Sequence, residues 1–159
     1  MNFAKGPQDP VVAQRLREIL NSWRGTPYRA GQQRKGVGVD CVRFVCGVYD
    51  ELQNTETPIQ ALPGDLALHK PDSARAAMRL LLRSFGGRVA EVGEQIFLSP
   101  GDTIVSGMPG GGPGHAMIVG PWPEIWHASR SGVVQTGLGL EGLEFKALVV
   151  PITRERWSV

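Results

Sequence analysis

Gly25-Thr26-Pro27-Tyr28, followed by Val39-Asp40-Cys41-Val42-Arg43-Phe44-Val45, is one half of the stretch that decides the reading of this chain. The other half lies far downstream: Gly114-His115-Ala116-Met117-Ile118-Val119-Gly120, then Trp126-His127-Ala128. The first half sets a cysteine at the start of a helix. The second sets two histidines on strands. A thiol and nearby imidazoles are the equipment of a cysteine nucleophile with an imidazole base.

The helix around Cys41 is read from Asp40, which can cap it, and from the stripe Val42, Val45, Cys46 and Tyr49 at i, i+3, i+4, i+7. It runs to about Leu52. A thiol reacts as thiolate. The first turn of a helix offers partial positive charge and N–H groups that lack intrahelical partners. Cys41 falls in that turn, and the same N–H groups can hold an oxyanion. Cys46 lies a turn deeper and reads as a small buried hydrophobe. Five steps of about 100° put the two cysteines on different faces, so a disulfide within the helix is not expected. Two cysteines without a second pair also make a poor zinc site.

His115 opens an apolar strand and shares a face with Met117 and Val119; His127 shares a face with Ile125 and Ser129. Gly120-Pro121-Trp122-Pro123 reads as the hairpin connection. With the hairpin centred on Pro121, the two imidazoles lie opposite each other on one face. His115 borders the run Gly107–Gly114 and is assigned as the base; His127 is assigned as the group that orients it.

Outward from these motifs, Asp9-Pro10 starts a first helix whose apolar side is Val12, Leu16, Ile19, Leu20 and Trp23, with residues 1–9 as an N-terminal tail. A polar loop spans Arg29–Val39. Residues 53–71 read as an irregular connection and 72–84 as a third helix, stopped by Gly86-Gly87. Short β-like runs follow at 88–92, 95–98, 103–106, 115–119, 124–128, 133–136 and 145–152. Helices first and strands afterwards predict an α+β domain spanning 1–159, its N-terminal helices packed on a C-terminal antiparallel sheet.

Composition narrows the function. The chain has 159 residues, 42% apolar and 20% charged, with a net charge of +2. Lys and Arg are scattered, which argues against nucleic acid. No apolar run is long enough to span a bilayer. The glycine run lacks the Lys-Ser/Thr of a phosphate loop. The first residues lack the apolar core of a signal peptide, so the expected site of the newly made chain is the cytoplasm. His69, in the irregular connection, reads as a solvated or locally bonded residue. No metal or organic cofactor is expected.

Taken together the motifs resemble the NlpC-type cell-wall peptidases, a papain-like cysteine peptidase family. Its usual signature is Gly-Thr-Pro-Tyr, Asp-Cys-Ser-Gly-Phe, Pro-Gly-Asp, His-Val-Gly-Ile and Ile-His-Ala. These read here as Gly25–Tyr28, Asp40–Phe44, Pro100-Gly101-Asp102, His115–Ile118 and Trp126-His127-Ala128, in the same order. The resemblance implies hydrolysis of peptide bonds in peptidoglycan stem peptides, typically the bond from γ-D-glutamate to the diamino acid. It implies Cys41 as nucleophile, His115 as base and His127 as orienting group. Tyr28 and Asp40 would shape the substrate side, Asp40 meeting a free amine of the stem. Val42-Arg43 departs from the small Ser-Gly pair and brings Arg43 to the cleft. Ala30-Gly31-Gln32 departs from the usual Trp-Gly-Gly. The single-domain form resembles phage-encoded versions, which implies phage tail proteins as partners and a virion or cell-wall destination. The alternatives are an amidase or acyltransferase using the same three residues, and a degenerate structural part of a tail.

Overall fold

The computed structural model describes residues 2–53, 94–107, 113–129, 132–136 and 145–149. The expected third helix at 72–84, the strand at 88–92 and most of the connection at 53–71 lie outside the described residues, as do 108–112 of the glycine run and 150–152 of the last strand. The elements are β1 (Asn2–Lys5), α1 (Pro10–Trp23), β2 (Gln33–Arg34), β3 (Gly38–Val39), α2 (Cys41–Gln53), β4 (Gln95–Leu98), β5 (Thr103–Gly107), β6 (Pro113–Val119), β7 (Ile125–Ala128), β8 (Val134–Thr136) and β9 (Phe145–Val149).

Helix α1 begins as its sequence dictates. Asp9 Oδ1 accepts from the N–H groups of Val11 at 3.0 Å and Val12 at 3.3 Å, and Pro10 occupies the first helical position. Its buried side is Val12, Leu16, Ile19, Leu20 and Trp23. Gly25, at φ +80°, turns the chain away in a conformation that costs glycine little.

Helix α2 departs from the amphipathic stripe expected of it. Every residue from Cys41 to Tyr49 is buried, as is Leu52. A helix apolar all round is one enclosed by protein, and α2 packs against α1 on one side and β6 and β7 on the other. Gly47 permits the α1 contact, because a Cβ there would stand 2.5 Å from Cζ2 of Trp23.

Strands β8-β7-β6-β5-β9 form a five-stranded sheet, antiparallel at every pairing. Its two faces feed two buried clusters. Val105, Ala116, Ile118, Trp126, Ala128 and Val134 join the helices. Ile104, Met117, Val119 and Ile125 join Ile96 and Leu98 of β4, with Phe3 and Trp122 packed against them. The α+β architecture expected from the sequence is the one observed. The N-terminal tail is not a tail: Asn2–Lys5 pairs in parallel with β4, Asn2 opposite Gln95 through Lys5 opposite Leu98. Phe3, by packing into the second cluster, supplies the burial that a free tail would lack.

Tyr49 braces α2 to the sheet. Its hydroxyl donates to the Gly101 carbonyl and lies within hydrogen-bond distance of Thr103 Oγ1. A phenol has one proton and a carbonyl only accepts, so the Thr103 hydroxyl donates to Tyr49.

Candidate active site

Asp40 caps α2 and does more. Its Oδ1 accepts from the Arg43 N–H at 2.9 Å, the bond of an N-cap to the third helical residue. Its Oδ2 accepts from the Gly31 N–H at 2.9 Å and from Arg43 Nη1 at 2.6 Å. Asp40 is 2% exposed and Arg43 1%. Arg43 therefore lies inside the protein as the partner of Asp40, not on a cleft wall as its sequence position suggested. The Asp40 carboxylate is likewise enclosed and engaged on both oxygens. Gly31, at φ +79°, is the residue sequence reasoning missed here. The one signal that could have found it is the second acceptor oxygen of a buried capping carboxylate, which demands another donor.

Cys41 follows Asp40 as the first residue of α2 and is fully buried. It belongs to the same cluster as Ala116 and Ala128, the chain neighbours of His115 and His127. Cys46, a turn further on, is an inert thiol: burial first, then the charges of Asp50 and Asp40, push its pKa up to about 12.

Tyr28 lies beside the turn that leads into Cys41. It forms a parallel bridge to Val39, while Pro27 bridges Val133 near β8. The Tyr28 N–H donates to the Gly132 carbonyl at 2.8 Å and the Val39 N–H to the Pro27 carbonyl at 3.0 Å. The ring packs, half-buried, on the main cluster.

The histidines meet. His115 Nε2 and His127 Nδ1 are 2.8 Å apart, with the rings at 87° and centroids 5.0 Å apart. The pairing differs in detail from the sequence expectation. Ile118 pairs with Trp126 and Val119 with Ile125, so the hairpin is centred on Trp122, one residue beyond Pro121. In that register the histidines are diagonal neighbours, not directly opposed. A shift of two in pairing leaves both on one face, and diagonal partners remain within reach of long side chains. Directly across β5, opposite His115, the pairing shifts register between Ser106 and Gly107. Such irregularities bend a strand and re-aim its side chains.

His127 is 5% exposed, and burial lowers its pKa from the ordinary 6.5. Among the described residues its Nε2 is buried without a hydrogen-bond partner. A neutral imidazole carries one proton. When that proton sits on Nε2 of His127, Nδ1 accepts from His115 Nε2–H, and His115 keeps its lone pair on Nδ1. Among the described residues no three His, Cys, Asp or Glu side chains cluster to hold a metal ion. No helix there is long and apolar enough to cross a membrane.

No family model and no curated protein matches this sequence. Solved structures do. The NlpC/p60 domain of peptidoglycan hydrolase SagA aligns with 85% of this chain and 97% of its own, at a TM-score of 0.52 and 20% identity. An NlpC/P60 family protein from Bacillus cereus gives 0.58 at 17% identity, over 89% of this chain and 40% of that one. NlpC1 from Trichomonas vaginalis gives 0.55 at 17%, over 86% and 43%. The chain has the NlpC/P60 fold. It spans under half the length of the last two proteins.

Within the NlpC/P60 fold of this chain, the motifs read from the sequence fall into two groups in space. One is the turn built from Tyr28, Gly31, Asp40, Cys41 and Arg43. The other is the imidazole pair on β6 and β7. Helix α2, which carries the thiol, packs on those same two strands.

Proposed function

We propose that this protein is a cysteine peptidase that hydrolyses peptide bonds in peptidoglycan stem peptides, with Cys41, His115 and His127 as its catalytic residues. The observation that carries the reading is the 2.8 Å bond between His115 Nε2 and His127 Nδ1, on strands packed against the helix that Cys41 opens. A base held by an orienting group beside a thiol at a helix start is the arrangement thiol acyl transfer requires. The shared fold with the hydrolase domain of SagA supports the choice of substrate class.

With Nε2 of His115 committed to His127, Nδ1 takes the proton of the Cys41 thiol. A register shift lies next to His115, and irregularities of that kind re-aim side chains. The sulfur attacks the scissile carbonyl carbon, and N–H groups at the start of α2 stabilise the oxyanion. The C–N bond breaks as His115 returns the proton to the leaving amine. Water, deprotonated by His115, then attacks the thioester; the acid leaves and the thiol re-forms. Throughout, neutral His127 accepts from His115 and steadies the imidazolium. Its depressed pKa keeps it in that neutral form. Within stem peptides the favoured bond is that from γ-D-glutamate to the diamino acid.

Purified sacculi and soluble stem peptides, incubated with the protein and with Cys41→Ala, provide the test. New amine termini from the intact protein alone are expected. Release by Cys41→Ala at the same rate would refute the thiol mechanism. Transfer to an added amine in place of hydrolysis would identify an acyltransferase.

A further inference from the structure

Only one nitrogen of His127 is used by the imidazole pair. His127 is 5% exposed, and among the described residues its Nε2 has no hydrogen-bond partner. A buried polar atom is ordinarily satisfied. The atom matters to the reaction. His115 keeps its Nδ1 lone pair for the thiol only when the His127 proton sits on Nε2. The pair by itself permits the opposite arrangement of protons as well. Which nitrogen of an imidazole is protonated is set by the bond that the other side of the ring makes.

Strand order turns that atom toward a particular neighbour. Strand β7 lies between β6 and β8. The two nitrogens of an imidazole point in nearly opposite directions, so with Nδ1 on His115 of β6, Nε2 is turned to the β8 side. There Gln135 stands directly opposite His127 in the antiparallel register. Ala128 and Val134, the next pair along, are buried in the cluster on the helix side, so His127 and Gln135 share the other face. Opposed residues on one face have Cβ atoms about 4.5–5.5 Å apart, within the joint reach of an imidazole and a glutamine amide. Gln135 is exposed, so its amide can turn onto Nε2 without displacing packed atoms. Building on the peptidase reading above, we propose that Gln135 is a further positioning residue. Its Oε1 accepts from His127 Nε2–H, fixes the tautomer, and extends the relay from Cys41 through His115 and His127 to β8.

Nitrogen-15 NMR of the imidazoles, with steady-state kinetics on a stem peptide, compares the intact protein with Gln135→Met and Gln135→Glu. Methionine keeps the length and removes the acceptor. Glutamate keeps an acceptor and adds charge. In the intact protein the His127 proton is expected on Nε2. Gln135→Met is expected to weaken that tautomer preference and to lower kcat by about three- to tenfold, the scale of one neutral hydrogen bond, with KM and Tm little changed. Gln135→Glu is expected to raise the His127 pKa by about one unit or more, because a carboxylate on Nε2–H favours the charged ring. The acid limb of its pH–rate profile moves up with that pKa, and kcat recovers at about pH 8, where the ring is neutral again. A His127 pKa unmoved in Gln135→Glu, a proton on Nδ1 in the intact protein, or an unchanged kcat in Gln135→Met each overturns the inference. A proton on Nε2 and a raised pKa in Gln135→Glu, with no cleavage of sacculi or peptides by the intact protein, supports the contact and refutes the peptidase reading.

Discussion

Replacing His127 with alanine, and separately with glutamine, isolates the contribution of the imidazole pair. In alanine the acceptor facing His115 Nε2 at 2.8 Å is gone. While His115 is neutral the loss is that of an ordinary hydrogen bond. Once it carries the thiol proton, the lost bond is one to a cation, worth about 1.5–3 kcal/mol. Because that charge develops along the reaction, the loss falls on kcat, by about 10- to 150-fold, with KM little changed. Glutamine keeps an acceptor oxygen and is expected to recover most of that factor. It also removes a titrating group. The folded-state pKa of His127 lies below 6.5, so between the two values the unfolded chain binds more protons than the folded one. Stability from this source is complete above pH 6.5 and is lost as pH falls through the depressed folded value. Urea midpoints measured across this window should slope downward toward acid in the parent and flatten in His127→Gln. Steady-state kinetics on a stem peptide, with those denaturation curves, complete the assay. An alanine variant within roughly threefold of the parent in kcat would refute the orienting role.

Cys46, with its pKa near 12, holds about one thiolate in ten thousand at pH 8, so an alkylator should label it far more slowly than Cys41 at the helix start. Peptide mapping reads the result, and equal labelling would contradict it. Gly47→Ala pushes a methyl group to 2.5 Å from the Trp23 ring and should lower stability by about 1–3 kcal/mol, seen as a fall in Tm. Tyr49→Phe leaves the Gly101 carbonyl and the Thr103 hydroxyl without their phenol partner, at a cost of about 1–3 kcal/mol, while the volume of the core is kept; an unchanged Tm would show the brace to be dispensable.

Much of this was legible in the sequence because short-range signals carry it. Asp9-Pro10 and Asp40 are caps whose partners lie within three residues, and both helices start where these residues place them. Alternation fixed the shared face of the histidines, and an error of one residue in the hairpin centre left that face unchanged. What escaped the sequence was long-range. The parallel pairing of β1 with β4 joins segments with no local signature of each other. The burial of α2 from Cys41 to Tyr49 depends on what packs around it, and Arg43, expected at the cleft, is enclosed there with Asp40. The polar role of Tyr49 depends on Gly101 and Thr103, which periodicity alone does not bring near.

The segment from Gly25 to Tyr28 has a consequence for how the protein comes into being. Gly25 N–H donates to the Val134 carbonyl, Val134 N–H donates to Thr26, and Tyr28 N–H donates to Gly132, while Pro27 and Tyr28 hold Val39 on the other side. The turn that presents the thiol is thus stitched to a strand made long after it on the ribosome. A nascent chain that has emerged only as far as α2 carries Cys41 without the stitching that sets its turn. Assembly awaits contacts distant in sequence, which fold slowly. Synthesis itself therefore delays the setting of the turn before Cys41 until β8 has arrived.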